Sequence, residues 1–196
     1  MIADARGGDV TENFFSERFN TPTGWLHIVT DVEQKLRAVH WENNGEDKGA
    51  RVLRVLRLQY GEHGFQLDDA QAPSDARRAL EAYFEGQIAA IEAIRTQTRG
   101  TDFQFQVWAA LREIPTGATL SYGKLAAKIG RPAAVRAVGA ANGANPIPVV
   151  VPCHRVIGAD ASLTGFGGGL ERKRWLLLHE RAHTTSPVPY NLELRI

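Results

Sequence analysis

Val149-Val150-Val151-Pro152-Cys153-His154-Arg155-Val156 brings an apolar, β-prone run to a proline-stiffened bend that holds a cysteine, a histidine and an arginine in a row. Pro146, Pro148 and Pro152 exclude a long helix over 145–158. Cys153 is the only cysteine in 196 residues, so the chain can form neither an internal disulfide nor a cysteine-based zinc site. A solitary cysteine is commonly a small buried hydrophobe. It becomes a nucleophile when a nearby base accepts its proton, because the thiolate is the reactive ion. An imidazole in that role needs a third group, usually a carboxylate, to fix its tautomer. Adjacent residues of an extended chain point to opposite sides. His154 is therefore expected to reach Cys153 through a water or across a bend.

Outward from this stretch, the chain after Thr101 reads as mostly helical. Phe103, Val107, Trp108, Leu111 and Ile114 form one apolar stripe, and Pro115-Thr116-Gly117 stops it. A short helix is predicted over 121–129, closed by Gly130, and Pro132 opens an alanine-rich one over 132–143. The spacing of this pair reads as a helix-turn-helix. The small residues Ala133, Ala134, Ala137, Ala140 and Ala141 let the second helix lie close to a groove. Gly165 and the run 167–169 end a loop, and 170–180 is a last amphipathic helix with Trp175, Leu176 and Leu178.

Before Thr101 the pattern is different. Three β-prone runs over 15–19, 25–29 and 36–41, the first two joined by the turn Thr21-Pro22-Thr23-Gly24, suggest a small antiparallel sheet. Val52, Val55, Leu56 and Tyr60 share helical spacing over 47–60, as do Ala76, Leu80, Tyr83 and Phe84 over 74–86, where Ser74 is a candidate N-cap. The expected fold class is α+β: a small mixed α/β N-terminal domain with an antiparallel sheet over 13–98, then a mainly helical domain with a helix-turn-helix over 99–182. Residues 1–12 are expected to be a flexible leading segment and 183–196 a tail.

Charge says little in total, since 23 basic side chains face 22 acidic ones, but its distribution is uneven. Residues 1–100 hold 12 basic and 16 acidic side chains, whereas 101–196 hold 11 and 6, so a polyanion-binding face belongs to the second half. The N-terminus lacks the apolar core of a signal peptide, and no apolar run is long enough to span a bilayer. A cytoplasmic protein with a reduced thiol, and no membrane partner, is the expectation.

Pro152-Cys153-His154-Arg155 resembles the signature of the O6-alkylguanine-DNA alkyltransferases, the methylated-DNA–protein-cysteine methyltransferases. The likeness runs from about residue 100 to 180 through Ser121-Tyr122-Gly123, Arg136-Ala137-Val138-Gly139, Asn145-Pro146, Gly168-Gly169 and His179-Glu180. The first half matches more loosely, in its strand pattern and in Tyr83-Phe84 followed by Gly86.

The resemblance implies that Cys153 takes an alkyl group from guanine O6 in an in-line displacement and keeps it as a thioether, one turnover per molecule. His154 then acts as general base through a water, Glu180 orients His154, and Asn145 holds the turn into the active loop. The resemblance also implies that the second helix, with Ala133, Ala134, Ala137 and Ala140, enters the minor groove of duplex DNA. Arg136 fills the gap left by the extruded nucleotide, while Tyr122 helps rotate it and donates a proton to the departing guanine. Extrusion is physically required, since the O6 substituent is stacked inside the duplex. For the pocket, the resemblance implies that Val156 offers backbone to the exocyclic amine, Phe166 packs on the base, Gly167 presents an N–H to O6, and Pro148 lines the wall. Thr164 stands where some members have glycine, which narrows the pocket against bulky alkyl groups. Arg155 is read as structural, paired with a carboxylate. No cofactor and no metal are expected, and the partner is double-stranded DNA containing O6-alkylguanine, bound by a monomer with or without cooperativity. Three other readings weigh against this one. A non-catalytic lesion sensor of the same fold lacks the cysteine that this chain has. A major-groove regulator needs longer polar side chains than the alanine-rich helix offers. A cysteine hydrolase would release its product.

Overall fold

The computed structural model describes residues 11–42 and 49–184. The expectations for 1–10, for the start of the helix at 47–48 and for the tail beyond 184 lie outside the described residues.

The first half is built on a four-stranded sheet of order β3-β2-β1-β4, with β1 Glu12–Thr21, β2 Gly24–Asp31, β3 Leu36–Trp41 and β4 Phe65–Asp69. β1 and β2 pair antiparallel with Phe19 opposite Leu26, and Ile28 of β2 stands opposite Val39 of β3. The tight turn between β1 and β2 closes on Gly24, whose φ of 105° suits a residue without Cβ. Thr21 Oγ1 donates to the Gly24 carbonyl at 2.7 Å and fixes that turn. The three strands expected from the sequence pair antiparallel, and β4 adds an edge strand parallel to β1, with Phe14 opposite Leu67. Its sequence, Phe-Gln-Leu-Asp-Asp, is short and half polar, as suits an edge strand with only Phe65 and Leu67 partly buried.

Helix α1 (Ala50–Tyr60) covers one face of the sheet through Val52, Leu56 and Tyr60, packed on Phe14, Val29 and Ala38. On the other face lies α2 (Asp75–Phe84), capped by Ser74, whose Oγ accepts from the Arg77 amide at 3.1 Å. Leu80 and Tyr83 of α2 belong to one continuous core with Leu26, Ile28 and Trp41 of the sheet and with Val107, Leu125, Val138 and Leu176 of the second half. The two halves thus share buried surface rather than touching at a polar seam.

In the second half, α3 (Asp102–Arg112) starts with a reciprocal capping box between Thr101 and Gln104. α4 (Tyr122–Lys128), capped by Ser121, and α5 (Val135–Gly143) follow, and α6 (Leu170–Ala182) closes the fold. Leu125 and Ala126 of α4 and Val138 and Ala141 of α5 are buried together with α3. α5 begins three residues later than its sequence suggested. The Ala134 amide bonds to the Arg131 carbonyl at 2.9 Å, so Pro132 opens a turn and Ala133 and Ala134 precede the helix.

The 149–151 run, β-prone in composition, does not form a strand. Pro148 and Pro152 remove ladder donors on either side, Val149 takes a positive φ of 76°, and the Val151 amide folds back on the Ile147 carbonyl at 3.0 Å. Cys153–Arg155 then forms a 3-10 turn, and β6 (Val156–Ile157) pairs parallel with β5 (Leu120–Ser121). That two-residue pairing sets the cysteine turn beside the start of α4.

Candidate active site

Cys153 opens the 3-10 turn and is 5% exposed. Asn145 builds the loop that leads to it: its Nδ2 donates to the Val151 carbonyl at 2.8 Å, and its Oδ1 accepts from the Ile147 amide at 3.1 Å. Both halves of the amide are used, so Asn145 clamps the two ends of the proline-broken segment. Burial pushes the Cys153 thiol up to about 11, opposed by the Asn145 side chain, the charge of Lys173 and two backbone amides. The resting thiol is therefore neutral near pH 7 and needs a base.

The nearest imidazole is that of His154. His154 is fully buried, with Nε2 2.8 Å from Glu180 Oε1, while Nδ1 has no protein partner. With Nε2–H donating to the carboxylate, Nδ1 keeps a free lone pair. No hydrogen bond joins the His154 imidazole to the Cys153 thiol among the described residues, so a proton passing between the two side chains needs an intervening group. Burial holds the imidazole's pKa down, against the opposing charge and hydrogen bond of Glu180.

Glu180 lies on α6, wholly buried. Burial alone would raise its pKa, but the charge and hydrogen bond of His154 and the Arg155 guanidinium outweigh that and hold it well below the usual carboxylate range. Arg155 Nε reaches Oε2 at 2.8 Å and Nη2 reaches Oε1 at 2.9 Å. Its Nη1 donates to the Ile114 carbonyl at 2.6 Å, so this arginine is a structural counter-ion. The Tyr83 hydroxyl adds a further donor to Oε1 at 3.0 Å.

Two contributors were missed in the sequence. Lys173 of α6 is 0% exposed and donates to the Val156 and Thr164 carbonyls, each at 2.6 Å. Burial lowers its pKa to about 8, against the pull of Cys153. In Glu171-Arg172-Lys173-Arg174 it looks like one member of a solvated charge run, and nothing local marks it as the buried one. The second is Tyr83, read in the sequence as a core residue of α2.

Around the cysteine lies a cavity of about 510 Å³, lined by Cys153, Asn145, Pro148, Phe166 and Gly167, with Trp108 of α3 and Val55 and Leu58 of α1. Phe166 stands edge-on to Trp41 at 5.7 Å and to the His154 ring at 6.5 Å. Arg172 ties the same loop to the sheet. Its Nη1 donates to the Gly168 carbonyl at 2.9 Å, Nε to the Thr23 carbonyl at 2.9 Å and Nη2 to the Glu42 carbonyl at 3.0 Å. Val156 is fully buried, and its carbonyl accepts from Lys173 Nζ.

Tyr122, at the first residue of α4, aims its hydroxyl at the Thr164 carbonyl at 3.5 Å, a long contact that leaves the proton available. Burial raises its pKa, and the neighbouring Cys153 adds to the rise. Arg136, Ala133, Ala137 and Ala140 are exposed, while Val138 and Ala141 face the core. α5 and the turn before it therefore present a surface of mostly small side chains with two guanidinium groups, Arg131 and Arg136. Among the described residues, no cluster of three His, Cys, Asp or Glu could hold a metal, and no helix is long and apolar enough to cross a membrane.

The buried Cys153 beside the His154–Glu180 pair, and the helix pair α4–α5 that exposes Arg136, are the parts that a DNA-directed cysteine acceptor requires. Residues 102–182 match the family model of the 6-O-methylguanine DNA methyltransferase DNA-binding domain. The methylated-DNA–protein-cysteine methyltransferase of Salmonella typhimurium is 49% identical over 164 residues, covering 84% of this chain and 94% of that protein. That of Mycobacterium bovis is 54% identical over 137 residues, 69% of this chain and 82% of that protein. The crystal structure of the Mycobacterium tuberculosis O6-methylguanine methyltransferase superposes with a TM-score of 0.69 at 39% identity, covering 88% of this chain and 96% of that one. The same organism's OGT in complex with DNA gives 0.68 at 39% identity over 87% and 94%. The chain belongs to the methylated-DNA–protein-cysteine methyltransferase family.

Proposed function

We propose that this chain repairs alkylated duplex DNA by flipping out O6-alkylguanine and moving the alkyl group onto Cys153. The observation that carries this reading is the buried Glu180–His154 pair with an unpartnered Nδ1, set beside a cysteine that lines the cavity. The thiol proton passes through a water to Nδ1, and the resulting imidazolium is held by Glu180. Sγ attacks the alkyl carbon in line. The S–C bond forms as the C–O6 bond breaks, and the electron pair leaves on the guanine, which takes a proton or hydrogen bond from Tyr122. The product thioether has no leaving group that a nearby nucleophile could displace, so each molecule reacts once.

In this reading residues 99–182 bind DNA and hold the reacting groups, and 13–98 brace them. α5 enters the minor groove with its alanines against the sugars, and Arg136 occupies the space of the extruded nucleotide. Phe166 packs on the base, and the Gly167 N–H meets O6. The relatives named for methylated-DNA–protein-cysteine methyl transfer, and the one solved with DNA, support the assignment. Incubation with a duplex containing O6-methylguanine, followed by peptide mass analysis, should place one methyl group on the peptide holding Cys153. Methyl on any other residue, or none, sinks the proposal. Cys153→Ser should abolish transfer and leave duplex binding near wild type.

A further inference from the structure

We propose that Tyr83 is a positioning residue of the transfer site, supplied by α2 of the first half, whose hydroxyl sets how strongly Glu180 holds His154. This rests on the reading of His154 as the base for Cys153. Tyr83 is fully buried and attached to α6 at both ends. Its hydroxyl donates to Glu180 Oε1 at 3.0 Å, and its backbone carbonyl accepts from His179 Nε2 at 2.7 Å.

Oε1 is crowded. It accepts from His154 Nε2 at 2.8 Å, from Arg155 Nη2 at 2.9 Å and from the Tyr83 hydroxyl. A carboxylate oxygen has two lone pairs, so three donors compete for its charge. Arg155 alone fixes the carboxylate's plane through two parallel bonds. A third donor adds little to orientation, and its effect falls on basicity: charge drawn toward the phenol is withdrawn from the imidazolium. The phenol's own pKa is raised well above 10 by burial and by Glu180, so it is a donor at every working pH.

The other groups around the pair are accounted for. Glu180 faces Tyr83, Arg155, His154 and, at 3.5 Å from Oε2, the Gly117 amide. His154 faces Glu180, with the charges of Arg155 and Lys173 acting on it. His179 stands edge-on to the Tyr83 ring at 5.3 Å. Only the phenol can be altered without disturbing a charge.

The test is the rate of Cys153 alkylation by iodoacetamide against pH, in the whole protein without DNA. With one cysteine in the chain, the product reports on Cys153 alone. Tyr83→Phe frees Oε1 for His154, making the imidazole a stronger base. The plateau should rise about threefold and the acid-limb midpoint should move up by about half a pH unit. Site-specific 3-fluorotyrosine at 83 keeps the packing and donates more strongly, so its profile should move the opposite way. Opposite shifts establish the role; superimposed profiles, or shifts in the same direction, overturn it. Should the Phe variant fail to fold, the fluorotyrosine arm decides alone, a downward midpoint supporting the role and an unmoved one refuting it. Methyl mapping on Cys153 is read separately, so failure there with opposite shifts here removes the transfer reading and not the phenol's effect on the relay.

Discussion

Arg155 grips Glu180 along both edges of the carboxylate, with Nε 2.8 Å from Oε2 and Nη2 2.9 Å from Oε1, and neither residue is open to solvent. A charge pair of this kind is costly to desolvate and costlier to break, because the surviving charge has nowhere to go.

Arg155→Met should therefore destabilise the fold by about 3–5 kcal/mol, seen as a lower denaturant midpoint. Arg155→Lys should recover only part of it, since an ammonium cannot span two carboxylate oxygens and the Ile114 carbonyl together. Full recovery by lysine would mean that charge alone matters here.

The same pair fixes a pH dependence. Glu180 has a folded pKa below its unfolded value, so its contribution to stability is complete above the ordinary carboxylate range. It is lost as pH falls through that range toward the folded pKa. Wild-type stability should decline from about pH 5 downward, and Glu180→Gln should flatten part of the slope. Equal acid slopes in the two proteins would contradict this.

Lys173 puts a buried cation beside the thiol, and its lowered pKa of about 8 gives it a working window. Below that pH it is charged and favours the thiolate; above it the charge disappears. Lys173→Met should slow methyl transfer at pH 7 by about tenfold, the effect of one pKa unit on the thiol. The deficit should shrink as pH rises past 8, where the wild type also loses its charge. A deficit constant with pH would point to the lost bonds to the Val156 and Thr164 carbonyls instead.

These two cations show where the sequence could be read and where it could not. Helix periodicity and the Ser74 cap placed most elements, because each leaves a local signature, whereas Asn145 and Glu180 were marked only by the family resemblance. Arg155 stood next to the cysteine and needed only a carboxylate. Lys173, by contrast, is buried by α6 docking on the cysteine turn, a long-range event that a run of charged residues conceals. Tyr83 lies 97 residues from its carboxylate. β4 was missed because an edge strand with two apolar positions has almost no period to detect. The 149–151 run has the β-branched composition of a strand, but its flanking prolines remove the donors a strand needs.

Arg136 is exposed on α5, so its loss should hardly touch the fold, with stability changing within about 0.5 kcal/mol. Arg136→Ala should weaken binding to duplex DNA and slow transfer there, with a much smaller effect on single-stranded substrate, where no gap in a stack has to be filled. Affinity for duplex should fall as salt rises, since phosphate contacts release counter-ions. An unchanged transfer rate on duplex would remove the wedge role.

Arg172 joins the loop that holds Phe166 to two carbonyls at the strand ends, Thr23 in the β1–β2 turn and Glu42 just after β3, and so makes the pocket wall depend on the first half of the chain. The loop has little slack, because a Cβ on Gly168 would sit 2.7 Å from the Phe166 ring and 2.9 Å from Trp41. Arg172→Ala leaves three part-buried carbonyls short of a donor and lets the loop relax away from the sheet. Phe166 should then lose its fixed distance to the His154 ring, weakening capture of the flipped base more than the displacement itself. In single-turnover kinetics the half-saturating concentration of O6-methylguanine duplex should rise several-fold, while the limiting rate changes little. A fall confined to the limiting rate would instead place Arg172 in the relay, and would show that the loop keeps its position without the clamp.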